Sequence, residues 1–316
     1  MNANPAAGAV ASNLRSILFM VIACTCFAGS DISNKLAIRS LPTPEIITIR
    51  AITAVLLSFL LVLFFHGFSQ LKTLANKKLF WRSVFEASVG PLMITCYAFL
   101  PLATVTAVMQ VGPFLGMIAG IYLFKESVGW RRWLAALVAF TGVLLIVKPG
   151  GNAFQPAAFV ILLTAAFGVA RDIQSRRIGN EVPTFVVPLA SSMMGIAIAF
   201  ALTPIAQYFE VRAWGPWRWP DIYSFTQCLL SGCFMVLANI FSFLAFNNGD
   251  MSVISPFRYF YLFFAVIGGI VIFAEFPDWI SLSGMILIVA AGLYLLHRER
   301  LRAKNKLAAA IKPGAE

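Results

Sequence analysis

Ten runs of mostly apolar residues, each about the length that a helix needs to cross a hydrocarbon core (~20 residues), dominate this chain. They are Ile17–Leu36, Ile46–Phe65, Val84–Leu100, Val105–Phe124, Trp133–Val147, Ala157–Ile173, Phe185–Ile205, Ser224–Phe246, Val253–Phe273 and Ile280–Leu296. In lipid every backbone amide must find its partner within the protein, so only helices or closed barrels span. Alternating strand-length segments are missing, which excludes a barrel. Hydrophobic residues make up 60% of the chain and charged residues 12%, against about 45–50% and 25% in soluble domains. The pattern predicts an all-α membrane protein of ten transmembrane helices. The first run continues past the Val21-Ile22-Ala23-Cys24 box that resembles a cleavage site, so it is expected to remain as an uncleaved helix.

The net charge of +11 would suggest a nucleic-acid partner in a soluble protein. Here topology absorbs it. With the N-terminus in the cytoplasm, the inner side collects Arg15, Lys72, Lys77, Lys78, Arg82, Lys125, Arg131, Arg132, Arg176, Arg177 and the basic tail from Arg298 to Lys312. The outer side holds Lys35, Arg39, Lys148, Arg212 and Arg218. That asymmetry places both termini in the cytoplasm. The segment Gln207–Tyr223 becomes an external loop whose Trp214, Trp217 and Trp219 suit the membrane–water interface. The five cysteines lie in apolar runs without a CxxC pair, and the two histidines, His66 and His297, sit at run ends. No metal site, cofactor site or catalytic constellation is expected from this set. No GxxxxGK[ST] loop appears either, so ATP does not drive the protein directly.

The chain also repeats itself. Asp31-Ile32-Ser33-Asn34-Lys35 closes the first run, and Asp172-Ile173-Gln174-Ser175-Arg176 closes the sixth. Phe124-Lys125-Glu126, with Trp130, closes the fourth; Phe273-Ala274-Glu275, with Trp279, closes the ninth. A repeat of five spans forces the second copy to insert upside down. Inverted repeats of this kind underlie secondary carriers, because exchanging the conformations of the halves exchanges the open side. A channel, a membrane enzyme or an assembly protein fits the pattern less well.

With Pro44-Glu45 and Arg50 in the second run, Pro113 ahead of Glu126, Gly142 in the fifth, and Ser255-Pro256-Phe257-Arg258-Tyr259 in the ninth, the sequence resembles the drug/metabolite transporter superfamily, EamA type. Asp31, Asp172 and Phe276-Pro277-Asp278 make it most similar to the branch with S-adenosylmethionine and riboflavin importers. Pro113 and Pro256 are not repeat equivalents, since Leu262 holds the matching place, so no role is carried from one to the other. The resemblance implies a cytoplasmic tail over 1–14, a first EamA repeat over 15–149, a linker over 150–156, a second repeat over 157–298 and a basic tail over 299–316. It implies a multi-pass protein of the bacterial inner membrane, not an enzyme. Its expected partners are a small-molecule substrate and the lipid bilayer, with a homodimer left open and nucleic acid excluded. Riboflavin is the favoured substrate, with S-adenosylmethionine import or amino-acid or drug export as alternatives.

Charges inside an apolar run are costly, about 2.5–3.5 kcal/mol at a helix centre on insertion scales, and those that survive usually face a cavity or a partner. Arg258 leads on this ground, flanked by Tyr259 and Tyr261. Asp31 and Asp172 follow, as gates or as i,i+4 pairs with Lys35 and Arg176. Arg50 is expected to pair with Glu45 or face a vestibule. Tyr97, Gln110 and Asn239 are mid-run hydrogen-bonding groups that suit either a heterocyclic substrate or helix bridging. Few acidic residues at mid-depth, together with the Arg258-Tyr259-Tyr261 group, tilt the expectation toward a neutral or anionic heterocycle.

Overall fold

The computed structural model describes residues 5–100, 102–126, 129–147, 157–211, 213–274 and, with gaps, 276–301. Glu275, Pro277, the linker 150–156 and the tail from 302 onward lie outside the described residues. The regular elements among the described residues are all helical. The order is α1 (Pro5–Ala37), α2 (Thr43–Phe65), a 3-10 segment (Phe68–Ala75), α3 (Lys77–Tyr97), α4 (Leu102–Met109), α5 (Val111–Phe124), α6 (Trp130–Val147), α7 (Ala157–Ile178), α8 (Val186–Tyr208), α9 (Ile222–Asn248), α10 (Met251–Ile254), a 3-10 turn (Ser255–Arg258) and α11 (Tyr259–Phe273). A further apolar helix covers Leu282–Ala291.

Four stretches are long and apolar enough to cross a membrane: Asn13–Ala37, Thr43–Phe65, Val186–Tyr208 and Ile222–Asn248. The others fall short for identifiable reasons. α3 and α7 reach 21 and 22 residues, but each carries four charges: Lys77, Lys78, Arg82 and Glu86 in α3, and Arg171, Asp172, Arg176 and Arg177 in α7. The fourth and ninth runs are broken. Pro113 has no amide hydrogen to give the Met109 carbonyl, and the helix interrupts at Gln110 between α4 and α5. Pro256 cannot donate either, and the chain tightens there into the 3-10 turn. Pro44 and Pro188 sit in first turns, where a missing donor costs nothing.

Packing comes in matched pairs. α1 lies along α9, and α3 along α7; α2 crosses α9, and α8 crosses α3; α1 meets α11, and α7 meets α5. α5 and α11 also end alike. Lys125 and Ala274 both adopt the left-handed conformation at φ 54°, with their amides closing on the carbonyls of Gly120 and Gly269.

The helices draw close where glycine permits. At Gly232, a Cβ would stand 2.7 Å from the backbone oxygen of Arg50, so α9 approaches α2 more closely than any side chain would allow. At one end of the bundle Lys78 and Asn76 bind Glu181, and Lys78 holds that exposed carboxyl below the usual carboxylate range. Asn13 and Arg176 meet Asp250 at the same end. At the opposite end Thr43 donates its amide to Ala213, and Glu45 accepts the Arg218 amide. Trp214 departs from the interfacial expectation. It is buried, donates to Thr95 at 2.8 Å, and packs with Leu41, Ile46 and Ile94. Trp219 is fully exposed.

Candidate functional site

A cavity with room for about 70 Å³ of contents lies at the centre of the bundle. That is the volume of a few waters, below the ~300–1,000 Å³ of small-molecule pockets. Six helices line it. α1 gives Phe27, Ser30, Asp31 and Asn34, and α3 gives Glu86, Gly90 and Met93. α2 gives Arg50, the α4–α5 break gives Gln110, α7 gives Arg171, α9 gives Met235, and the start of α11 gives Arg258 and Tyr261. Charges of both signs thus stand inside an apolar bundle.

They are organised as a chain. Arg82 donates to Ser175 (2.9 Å), Ser191 (2.8 Å) and Asn239 (3.0 Å), tying α3 to α7, α8 and α9. Asn239 passes its amide to Glu86 at 3.3 Å. Glu86 takes Arg171 Nη1 at 2.6 Å. Arg171 in turn donates Nε to Asp172 Oδ1 at 2.8 Å and lies over the Phe27 ring at 5.4 Å. The second oxygen of Asp172 accepts from Arg258. Glu86, Arg171 and Asp172 are each 2–3% exposed, whereas the Arg258 side chain is 18% exposed.

Asp31 is bound differently. The Tyr261 hydroxyl donates to it, Tyr97 stands beside both, and Arg50 acts on it through its charge. The two acids at repeat-equivalent positions therefore meet a neutral donor in one case and two guanidinium groups in the other.

The two broken helices meet at the cavity wall. Gln110, at the α4–α5 break, donates to the freed carbonyls of Arg258 (3.4 Å) and Tyr259 (3.2 Å) at the other break. Irregular backbone at membrane depth is tolerated where protein or a cavity satisfies it. Discontinuous helices are where carriers place their sites.

The structure brings Arg258, Tyr261, Asp31, Arg50 and Gln110 to one cavity and sets Asp172 and Asn239 directly behind it. Arg50 and Glu86 also line a small adjoining cavity of about 30 Å³, together with Ser191 and Asn239. Tyr97 lines instead a vestibule of about 490 Å³ with Lys35, Arg39 and Arg218. Three expectations are corrected. Tyr259 points away from the cavity: it is 1% exposed and packs with Ala139, Leu262 and Met285, so only its carbonyl serves the site. Asp172 pairs with Arg171 and Arg258, while Arg176 goes to Asp250. Glu45 gives an oxygen to the Arg218 amide, and Arg50 turns inward.

Sequence reasoning missed Arg82, Glu86 and Arg171. Arg82 had been assigned to a loop, yet it is fully buried in α3. The available signal was its spacing: Arg82, Glu86 and Gly90 recur every fourth residue, which places them on one helical stripe.

Gly90 offers a direct check. A Cβ there would stand 2.5 Å from Nη2 of Arg50, the far end of a flexible side chain. Gly90→Ala is expected to displace Arg50 from the cavity and lower transport several-fold. Folding should change little, because alanine in a helix gains about 1 kcal/mol over glycine. Transport rate and thermal midpoint measured together test this, and unchanged transport would detach Arg50 from the site.

The EamA-like transporter family profile matches residues 14–148. An S-adenosylmethionine uptake transporter of Rickettsia felis is 24% identical over 311 residues, covering 94% of this chain and 98% of that one. A pseudopaline exporter of Pseudomonas aeruginosa is 24% identical, covering 88% of this chain and 95% of its own. A riboflavin transporter of Brucella anthropi is 22% identical, covering 89% and 98%. One solved structure superposes with a TM-score of 0.66 at 16% identity over 94% of this chain and 99% of that chain, a likeness of fold. A charged cavity at the meeting point of broken apolar helices agrees with these likenesses: residues 14–148 belong to the EamA-like transporter family, and the chain is a transporter similar along most of its length to carriers of small metabolites.

Proposed function

We propose that the protein is a secondary carrier of ten spans in two inverted five-helix repeats, with both termini cytoplasmic, which moves a small zwitterionic metabolite of the S-adenosylmethionine class. The repeat reading is supported by the matched helix contacts and by the twin left-handed ends at Lys125 and Ala274. The family match over 14–148 supports a first repeat at 15–149.

The observation that carries the substrate reading is the pairing of opposite charges in one cavity. Asp31 presents a carboxylate hydrogen-bonded by the neutral Tyr261, with Arg50 in electrostatic reach of it and Arg258 lining the same cavity. An amino-acid moiety with an added sulfonium supplies both complements. Arginine forks match a carboxylate, and Asp31 accepts the cationic part. Riboflavin becomes the second reading. Its case rested on few acids at mid-depth and on Tyr259, but Glu86 lines the cavity and Tyr259 does not. Phe27 and Tyr261 remain as surfaces for a flat ring.

The test is uptake of labelled S-adenosylmethionine into proteoliposomes preloaded with unlabelled S-adenosylmethionine, with riboflavin as competitor. Saturable uptake unaffected by riboflavin supports the reading. Accumulation of labelled riboflavin alone moves the protein to the second reading, and movement of neither removes both.

A further inference from the structure

We infer that Arg258 is the anion receptor of the cavity, and that the substrate carboxylate gains it by displacing Asp172, so that binding itself loosens the polar layer closing one side. This rests on the zwitterion reading and names the group that recognises its anionic end.

The argument turns on which link of the buried chain can open at least cost. Pulling Arg171 from Glu86 would leave that carboxylate with only the Asn239 amide. Pulling Arg82 away would leave Ser175, Ser191 and Asn239 all without their donor. Moving Arg258 from Asp172 leaves Asp172 still bound by Nε and Nη2 of Arg171. The displaced carboxylate therefore keeps a counter-charge, which removes the main penalty of opening a buried ion pair.

Position agrees with this. Among the ion pairs that Glu86, Arg171, Asp172 and Arg258 make with one another, Arg258–Asp172 is the one with a partly exposed member, and that member lines the cavity. Arg258 also ends the 3-10 turn, where the backbone is held by the Gln110 amide and not by a continuous helix. A shift of this residue needs a change in one turn, with no whole helix dragged along. On the other side Gly168 leaves room, since the nearest guanidinium atom stands 4.0 Å from where its Cβ would lie.

The polar layer spans α3, α7, α8, α9 and the start of α11. Arg258–Asp172 is its link to α11. When a ligand carboxylate takes the place of Asp172, that link passes from protein to substrate, and α11 is freed from α7 only when the site is loaded.

Purified full-length protein would be titrated with S-adenosylmethionine and with its decarboxylated analogue, which keeps the sulfonium and the amine. Wild type is expected to bind the carboxylate-bearing ligand at least ~10-fold tighter, the scale of one charged hydrogen bond. Arg258→Gln should erase that ratio. Asp172→Asn, which removes the competing charge, should tighten S-adenosylmethionine several-fold and leave the analogue unchanged. Equal wild-type affinities would overturn the swap while leaving the substrate reading standing, as would a ratio that survives in Arg258→Gln. Binding of neither ligand overturns both. Should Arg258→Gln fail to fold, Asp172→Asn decides: no gain for S-adenosylmethionine overturns the proposal.

Discussion

Arg171→Ala is expected to deprive the protein of a stable fold, with a loss of about 3–5 kcal/mol, the cost of breaking a buried ion pair by removing one partner. Arg171 is 3% exposed and serves two acids from two helices, Glu86 of α3 and Asp172 of α7. Its removal leaves Glu86 without its ion-pair partner, held by the Asn239 amide and the field of neighbouring arginines. Water entering the vacated space recovers only part of the lost interaction. The readout is the yield of monodisperse protein and its thermal midpoint in detergent. Adding Glu86→Gln to the Arg171→Ala background is expected to recover part of the loss, because it discharges the orphaned group. A single variant with a midpoint within a few degrees of wild type would show that the chain from Arg82 to Arg258 does not hold the bundle together.

Asp31→Asn is expected to spare the fold and cripple recognition. Tyr261 can still donate to the amide oxygen, so the local geometry has a substitute. The charge removed is hydrogen-bonded by Tyr261, and Arg50, which feels it, keeps Glu86 as a second acid nearby. Under the zwitterion reading, the cationic end of the substrate loses its only carboxylate contact on that wall. The KM for S-adenosylmethionine should rise roughly 10- to 100-fold, the range of a charged hydrogen bond worth 1.5–3 kcal/mol. A rise in KM with an unchanged maximal rate would mark binding felt equally in the ground and transition states. Unchanged KM, in protein of wild-type abundance, would remove Asp31 from the substrate path.

The residues that were legible in the sequence were those whose cost stood out against their neighbours. Arg258, Asp31 and Asp172 interrupt otherwise apolar runs, and each proves to touch the cavity or its wall. Glu86 and Arg82 carry the same cost but were hidden. They lie near the start of α3 beside Lys77 and Lys78, where they blend into a basic loop when hydropathy is averaged. Tyr259 misled for a different reason. It neighbours Arg258 in sequence, but consecutive helical residues point about 100° apart, so only Tyr261 could share the cavity with Arg258. The pairing of Asp172 with Arg176 fitted helical spacing, yet a surface pair of this kind contributes only ~0–1 kcal/mol. Two guanidinium groups supplied from within the bundle outcompete it.

The sequence by itself determined that the chain is helical, that its surroundings are apolar, and that certain charges need partners. These follow from local chemistry: backbone amides and the energy of a charge out of water. Only the tertiary structure decided which partner each charge has. Arg82 reaches residues on three other helices, and Arg171 joins acids more than eighty positions apart in the chain. Such partnerships depend on which helix faces meet, and helix faces meet through packing that no single segment encodes.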